Sequence, residues 1–346
     1  MPHRRSLDPK VSRAVAPRHG EGEGTFAREL FGLRGSAVLS VETAEDPRDL
    51  PPVPGRIDVT WMQTLHGAPG TFATLPLGEV RLVAAMLPPS LLEGPADPDR
   101  AVVWWAMDTP HRAVGAGVPL GVDTLFFVGP GTRHQAYWPA QAAPLQTAVG
   151  LALPSARVPP GWPDAGPLPA QHLVEPARLD LLRTLTRRAF RRASEDPDSL
   201  LDPVRRATLG DDLVDVLTDL YRTATPVVDR RAALKRRYVE TLDRIDRLVA
   251  ANLDRPIGLE DAAEELRLAP RSVHNVMTLL RGMTLQTYVK IYRLRSLRRH
   301  LLDGERVDLV KQVAFHHGYA NHGRMAQDYV RFFGELPSAT LARRKR

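Results

Sequence analysis

Residues 257–282 read IGLEDAAEELRLAPRSVHNVMTLLRG, and this stretch predicts two short helices joined by a tight turn. The first helix begins at Leu259, the turn covers residues 267–269, and the second helix begins at Pro270, where the missing proline N–H would have had no partner. Apolar side chains on the second helix recur at intervals of three and four residues, at Val273, Val276, Met277 and Leu280. These four side chains are expected to face a core.

The opposite face of the second helix is polar and consists of Arg271, His274, Asn275 and Thr278. Two helices in this arrangement are typical of a helix-turn-helix, in which the second helix enters the major groove of DNA. Arg suits guanine and Asn suits adenine, so this face is chemically suited to reading base edges. A polar face can also be merely solvated, and the repetition of the pattern is what favours DNA.

The same pattern returns in residues 307–334, which read VDLVKQVAFHHGYANHGRMAQDYVRFFG. Asn321 is expected to cap the second helix of this unit, and Gly318 stands where a turn needs a positive φ. The inward side chains are predicted to be Val310, Val313, Ala314, Met325, Tyr329 and Phe332, and the outward ones His322, Gly323, Ala326 and Gln327. The histidines at 316 and 317 are interpreted as scaffold residues.

A predicted connector helix over residues 284–302 would be about 28 Å long. One turn of DNA is about 34 to 36 Å, so the connector could place both units in successive major grooves. Residues 281–300 contain six basic residues and no acidic one, which favours phosphate contacts. The side chains expected at phosphates are Arg281, Arg293, Arg298 and Arg331.

The net charge of +7 is unevenly divided. Residues 230–346 hold 24 Lys and Arg against 13 Asp and Glu, while the preceding residues hold 23 against 27. The chain therefore combines an acidic front part with a basic back part, which is what a DNA-binding back part would require.

Residues 244–343 resemble the DNA-binding domain of the AraC/XylS family of bacterial transcriptional regulators. The resemblance is carried by Leu259, Ala263, Leu268, Pro270, Val273, Gly282, Met283, Tyr288, Leu294, Arg298, Leu301, Val310, Val313, Ala314, Gly318, Tyr319, Met325, Tyr329, Phe332, Phe333, Gly334 and Pro337. It implies that base-reading positions fall on Arg271, His274, Asn275, His322, Gly323, Ala326 and Gln327.

The chain departs from the family pattern at two positions of the first unit. Arg267 replaces a small turn residue and Ala269 replaces a Ser cap. In the second unit, Gly323 and Ala326 offer little hydrogen-bonding reach, so the first unit is expected to dominate sequence readout.

The sequence pattern of the front half predicts an N-terminal β-barrel or sandwich. Together with the helical back half, it indicates an α+β multidomain protein. Its architecture is similar to the cupin-like sensing domain common in this family. Short β-branched or aromatic runs alternate with Pro and Gly clusters, in the segments SAVLSVE, RIDVTWMQTL, EVRLVAAML, AVVWWAMD, VDTLFFV, RHQAYW and LQTAVGLAL. The aromatic residues, among them Trp104, Trp105, Phe126, Phe127 and Tyr137, are interpreted mostly as core, with a ligand mouth as the alternative.

We expect four segments: a flexible extension over 1–24, a β-rich cupin-like sensing domain over 25–170, a helical segment over 171–229 and the DNA-binding domain over 230–346. In the DNA-binding domain the predicted units are 259–280, 284–302 and 310–333. The helical segment is expected to hold helices over 171–192 and 202–222, with a stripe of Leu209, Leu213, Leu217 and Leu220. The stripe favours packing on its own domain, with a homodimer interface as the second interpretation.

The chain has no Cys, which excludes disulfides, thiolate zinc sites and cysteine nucleophiles. His66, His111 and His134 stand apart from one another, so no metal, cofactor or catalytic residue is predicted. We also expect no membrane span and a cytoplasmic protein that joins the nucleoid when bound.

The first hypothesis is a sequence-specific, effector-responsive transcription regulator, which the family resemblance suggests is an activator. Its partners would be promoter DNA, a small-molecule effector and, as the resemblance implies, RNA polymerase. The alternatives are a cupin-like enzyme with a basic localisation domain, or a nonspecific nucleoid-binding protein.

Overall fold

The computed structural model of the chain describes residues 25–44, 60–63, 70–87, 89–107, 113–115, 117–138, 146–163, 169–227, 232–255, 257–303 and 309–344. The predicted flexible extension over 1–24 lies outside these residues, as do His66 and His111.

Short strands fill most of the front half, and helices fill the back half. The strands are Ser40–Ala44 (β1), Thr60–Gln63 (β2), Gly70–Leu77 (β3), Val80–Leu87 (β4), Ser90–Pro95 (β5), Arg100–Ala106 (β6), Val114–Gly115 (β7), Val118–Pro119 (β8), Thr124–Val128 (β9), Arg133–Trp138 (β10), Gln146–Pro154 (β11), Ala170–Leu173 (β12) and Thr225–Pro226 (β13). The helices are Thr25–Gly32 (α1), Pro176–Glu195 (α2), Pro203–Thr223 (α3), Ala232–Ala251 (α4), Leu259–Leu266 (α5), Pro270–Arg281 (α6), Leu285–Asp303 (α7), Val310–His316 (α8), His322–Phe333 (α9) and Pro337–Arg344 (α10). Among the described helices, none combines the length and apolar character needed to cross a membrane.

The strands form two antiparallel sheets. The larger sheet has the order β1-β3-β4-β11-β6-β9-β12-β13, and the smaller one has the order β2-β5-β10-β7-β8. Ala85 and Leu87 of the larger sheet share a buried cluster with Ala136 of the smaller one. Each sheet has two distinct edges within the described residues, so of the predicted barrel or sandwich the barrel is not confirmed.

The larger sheet alternates its side chains between two apolar surfaces, as the period of two in a strand requires. On β4, Leu82, Ala84 and Met86 join the main core with side chains from α1, α2 and α3. Trp105 and Phe127 lie in the same core, which confirms the interpretation of these two aromatic residues.

The leucine stripe of α3 packs on this sheet. Leu213, Leu217 and Leu220 are buried there, and Leu209 packs against them from the side. Helices α2 and α3 therefore belong to the core of the front domain. The helical segment that was predicted to begin at residue 171 does not pack as a separate unit. The predicted helix over 171–192 is also wrong at its start: Gln171 lies in β12 and pairs with Phe126, and α2 begins at Pro176.

The back half contains two apolar cores that share one helix. The first half of α7 contributes Leu285 and Tyr288 to the core of α4, α5 and α6. Its second half contributes Leu294 and Leu301 to the core of α8, α9 and α10. Because α7 runs through both cores, it fixes the positions of α6 and α9 relative to each other.

Candidate nucleic-acid interface

Helix α6 spans Pro270–Arg281, as the sequence predicts. Its core-facing side chains Val273, Val276, Met277 and Leu280 are almost completely buried. Gly282 ends the helix in the left-handed region, at φ 65°, and its N–H donates to the carbonyl of Thr278. Both ends of the helix are thus set by local sequence, by proline at the start and glycine at the end.

The opposite face of α6 is open to solvent. Arg271, His274 and Asn275 are exposed there, and Thr278 continues the face one turn later, with its Oγ1 3.5 Å from Nε2 of His274. The face carries several hydrogen-bond donors and acceptors and no carboxylate, which suits contact with base edges.

The turn before α6 contains a backbone conformation that the sequence did not reveal. Arg267 ends α5 in the left-handed region, at φ 53°, a conformation that costs an ordinary residue about 1 to 2 kcal/mol. Its N–H donates to the carbonyl of Glu264 at 3.0 Å. Ala269 contributes no side-chain cap to α6, as predicted from its methyl group.

Helix α9 spans His322–Phe333 and is capped as predicted, with Oδ1 of Asn321 accepting from the N–H of Arg324 at 2.9 Å. Met325 and Tyr329 are buried. The four residues predicted to face outward differ in solvent exposure. Gly323 and Gln327 are exposed, whereas His322 and Ala326 are half-buried. Nε2 of His322 lies 3.3 Å from the carbonyl oxygen of Lys311.

Helix α10 completes the second unit and was not predicted. Its Thr340 is buried, and the Thr340 hydroxyl lies 2.8 Å from the hydroxyl of Tyr329. Burial raises the pKa of Tyr329 to about 12, so its hydroxyl keeps its proton at neutral pH. This hydrogen bond holds α10 against the buried side of α9.

Arg281 is not available to phosphate, which corrects the sequence-based assignment. Its side chain is 1% exposed, and its Nη2 donates to Oδ2 of Asp246 at 2.6 Å. The guanidinium also lies 5.2 Å from the ring centre of Tyr288. Arg281 therefore joins α6 to α4 and α7 inside the domain.

Arg293 and Arg298 are likewise engaged within the protein. Arg293 is buried, and its guanidinium donates to the carbonyl of His317 and lies over the ring of Tyr319. Burial lowers the pKa of Arg293. Arg298 is mostly buried and pairs with Glu335 at 3.2 Å. Arg293 is buried in holding α7 against the second unit, which corrects its assignment to a phosphate contact, whereas the predicted phosphate contact of Arg298 stays a prediction.

Arg331 lies exposed on α9, one turn beyond Gln327, so its predicted phosphate contact stays a prediction. Two basic residues outside the predicted set also face outward: Arg324 is exposed in the first turn of α9, and Lys290 pairs with Asp328 at 2.6 Å. Both line a cleft of about 460 Å³ between α7 and the second unit. A basic residue in the first turn of a predicted recognition helix was the available signal for Arg324.

His317 is a scaffold residue. It is buried, its Nδ1 lies 2.8 Å from the carbonyl oxygen of Val313, and its Nε2 lies 3.2 Å from Oγ of Ser296. Burial lowers its pKa below the ordinary value, so the ring is neutral at pH 7. Across the described part of the chain, no three His, Asp or Glu residues come together as metal ligands would.

Comparisons with known proteins place the similarity in this region. A family model described as a helix-turn-helix domain matches residues 262–343. XylDLEGF operon transcriptional activator 1 of Pseudomonas putida is 36% identical over 106 residues, 30% of this chain and 32% of that protein. XylDLEGF operon transcriptional activator 2 of the same organism is 30% identical over 134 residues, 38% of this chain and 82% of that protein. The match thus spans about a third of the length of the first of these relatives.

Two solved structures give matches of different extent. A probable AraC family transcriptional regulator from Rhodopseudomonas palustris is 30% identical over 30% of this chain and 97% of its own, with a TM-score of 0.28. The AraC-like transcriptional activator CuxR is 12% identical over 76% of this chain and 88% of its own, with a TM-score of 0.36.

Proposed function

Because the chain belongs to the AraC/XylS family of bacterial transcriptional regulators, we propose that it regulates transcription by inserting α6 and α9 into successive major grooves of promoter DNA. The observation that carries the proposal is the pair of outward helix faces on one shared connector, α7. Arg271, His274 and Asn275 would read bases in the first groove, and His322, Gly323, Ala326 and Gln327 in the second.

The exposed basic side chains of the back half would supply the electrostatic part of the affinity. The candidates are Arg324 and Arg331 on α9 with Lys290 and Arg298 on α7, since Arg281 and Arg293 are buried. Contacts to phosphate position a protein on the duplex without carrying sequence information. The Lys290 ammonium would leave Asp328 and contact a phosphate, or would contact both groups at once.

The front half would be a cupin-like sensing domain that responds to a small-molecule effector. Two antiparallel sheets with an apolar interface between them support this proposal. RNA polymerase would be the partner in activation, and a second copy of the chain would be the partner in a homodimer. The protein would act in the cytoplasm, on the nucleoid.

Arg271→Ala is expected to relax preference at one or two base pairs of the site and to weaken binding to the preferred sequence by about 1 to 3 kcal/mol. The reason is that a bidentate contact to one base is lost while the phosphate contacts remain. The measurement is selection of binding sites from randomised DNA, followed by titration of the selected and mismatched sequences.

Arg331→Ala is the matched control, because it removes the same side chain from an exposed position at the far end of the other recognition helix. It is expected to weaken all sequences alike and to reduce the salt slope by about one. A uniform loss of affinity in Arg271→Ala would contradict the assignment of α6 to base reading.

A further inference from the structure

Helix α7 passes from one apolar core of the back half to the other near its middle. The last buried side chain of α7 in the first core is Val289, and the first in the second core is Leu294. Within the described residues, the second core contains no side chain of α6, and the first contains none of α9. The orientation of α6 relative to α9 therefore depends on α7 and on the contacts that join the two units at this changeover.

Arg293 occupies the changeover and is 8% exposed. Its Nε donates to the carbonyl oxygen of His317 at 2.8 Å, and its Nη2 donates to the same oxygen. The guanidinium carbon lies 4.6 Å from the ring centre of Tyr319. Since His317 and Tyr319 flank Gly318, the side chain of Arg293 holds the turn between α8 and α9 against α7.

The segment between α4 and α5 reaches the same turn from the other side. The carbonyl carbon of Asp254 would lie 2.7 Å from a Cβ on Gly318, so a residue without a Cβ is needed there. Ile257 and Gly258, which precede α5, line one cleft together with Gly318 and Asn321. The α8–α9 turn is therefore held between α7 and the backbone of the α4–α5 segment.

The burial of Arg293 costs more than stability alone would require. Its hydrogen bonds go to a backbone carbonyl, and no carboxylate among the described residues forms an ion pair with it. An apolar side chain of similar size often fills such a position at lower cost. One buried polar side chain can fix the register of apolar elements at a cost in stability, as Asn does in coiled coils. These properties point to a residue that defines geometry.

DNA makes the geometry of the two units measurable. One base pair added between two groups of bases moves the second group by about 3.4 Å and rotates it by about 35° around the axis. To follow that movement, the second unit must shift on α7 by a similar distance. Such a shift would break the hydrogen bonds between Arg293 and His317, which do not extend beyond about 3.5 Å, or would drive Gly318 into Asp254.

We propose that Arg293 sets the spacing between the bases that α6 and α9 read, by holding the α8–α9 turn between α7 and the α4–α5 segment. Arg293 contacts no base; it is a positioning residue that acts through the orientation of the second unit. With this junction intact, the chain discriminates against sites whose two groups of bases are one base pair farther apart. The inference rests on the proposed function, since it concerns the same two helices.

The test varies the length of the DNA site. A site that the full-length wild-type chain selects from randomised DNA is compared with the same site lengthened by one base pair between its two groups. The readout is the Kd for the lengthened site divided by the Kd for the selected site. We expect a ratio of at least about ten for the wild type, because one helix loses its base contacts. Arg293→Met keeps an unbranched side chain without the donors, and its ratio is expected to fall below about three.

The ratio separates positioning from stability, because partial unfolding weakens binding to both sites by the same factor. Tyr329→Phe is the matched control: it loses the hydrogen bond to Thr340 inside the second unit and leaves the junction intact. It is expected to keep the wild-type ratio. Arg293→Lys covers the case in which Arg293→Met does not fold, and its single ammonium is expected to lower the ratio at least about twofold.

A wild-type ratio in either folded Arg293 variant overturns the proposal, and so does an equal loss of the ratio in Tyr329→Phe. A wild-type chain that reads two groups of bases but binds both site lengths equally also overturns it, while the proposed function stands. Failure of the proposed function is a different result: the wild-type chain then selects no sequence, or only one short group of bases, and the spacing proposal falls with it.

Discussion

Gly318→Ala is expected to destabilise the second helix-turn-helix unit by about 2 to 5 kcal/mol. Gly318 has φ 69°, where an L-residue costs about 1 to 2 kcal/mol. An added Cβ would also overlap the guanidinium of Arg293 and the carbonyl of Asp254, whose carbon would be 2.7 Å away. Asp254 lies in the segment between α4 and α5, so the new methyl group would push this segment away from the second unit.

The comparison that isolates this overlap is Gly131→Ala. Gly131 has φ 66°, but its added Cβ would meet nothing within 4 Å. It is expected to cost only the conformational term, about 1 to 2 kcal/mol. Urea unfolding followed by circular dichroism measures both changes, and Trp fluorescence follows the front half separately. A loss below about 0.5 kcal/mol for Gly318→Ala would contradict the close packing of Gly318 against Arg293 and Asp254.

Asp246→Ala is expected to cost about 3 to 5 kcal/mol, because it removes a carboxylate that pairs with a buried guanidinium. The side chain of Arg281 is 1% exposed and that of Asp246 is 21% exposed, so the positive charge is the more deeply desolvated member of the pair. Arg281→Met removes that buried charge and leaves the more accessible carboxylate, so it is expected to cost less than Asp246→Ala. Unfolding of the two single variants in urea provides the measurement.

The same substitutions test the correction of the Arg281 assignment. Arg281→Met is expected to leave DNA affinity and its salt slope unchanged, since the guanidinium lies inside the domain. A salt slope lower by about one would mean that Arg281 reaches a phosphate after all.

The sequence predicted the two helix-turn-helix units well because their signals are local. Proline at 270, Asn321 and the glycine at 318 each act within a few residues of their own position, and the predicted ends of α6 and α9 agree with the structure. The apolar spacing of three and four identified the buried face of each helix.

The phosphate contacts of Arg281 and Arg293 were wrong for a reason that the connector sequence cannot show. Residues 281–300 contain no acid, yet Asp246 of α4 and the carbonyl of His317 engage these two guanidinium groups. A basic run indicates charge, and its burial depends on the elements packed against it. The contact between Tyr137 and Gly282 could not be predicted for the same reason. The strand that carries Tyr137 was predicted, but the contact depends on how two distant parts of the chain pack together.

The most direct test of the central claim is the spacing of the bases that α6 and α9 read. Binding sites selected from randomised DNA are compared for the wild-type chain, Arg271→Ala and Gln327→Ala. We predict that each substitution relaxes its own short group of bases, and that the two groups lie about 10 base pairs apart. Relaxation at the same bases, or a uniform loss at all positions in both variants, would contradict two helices reading successive grooves.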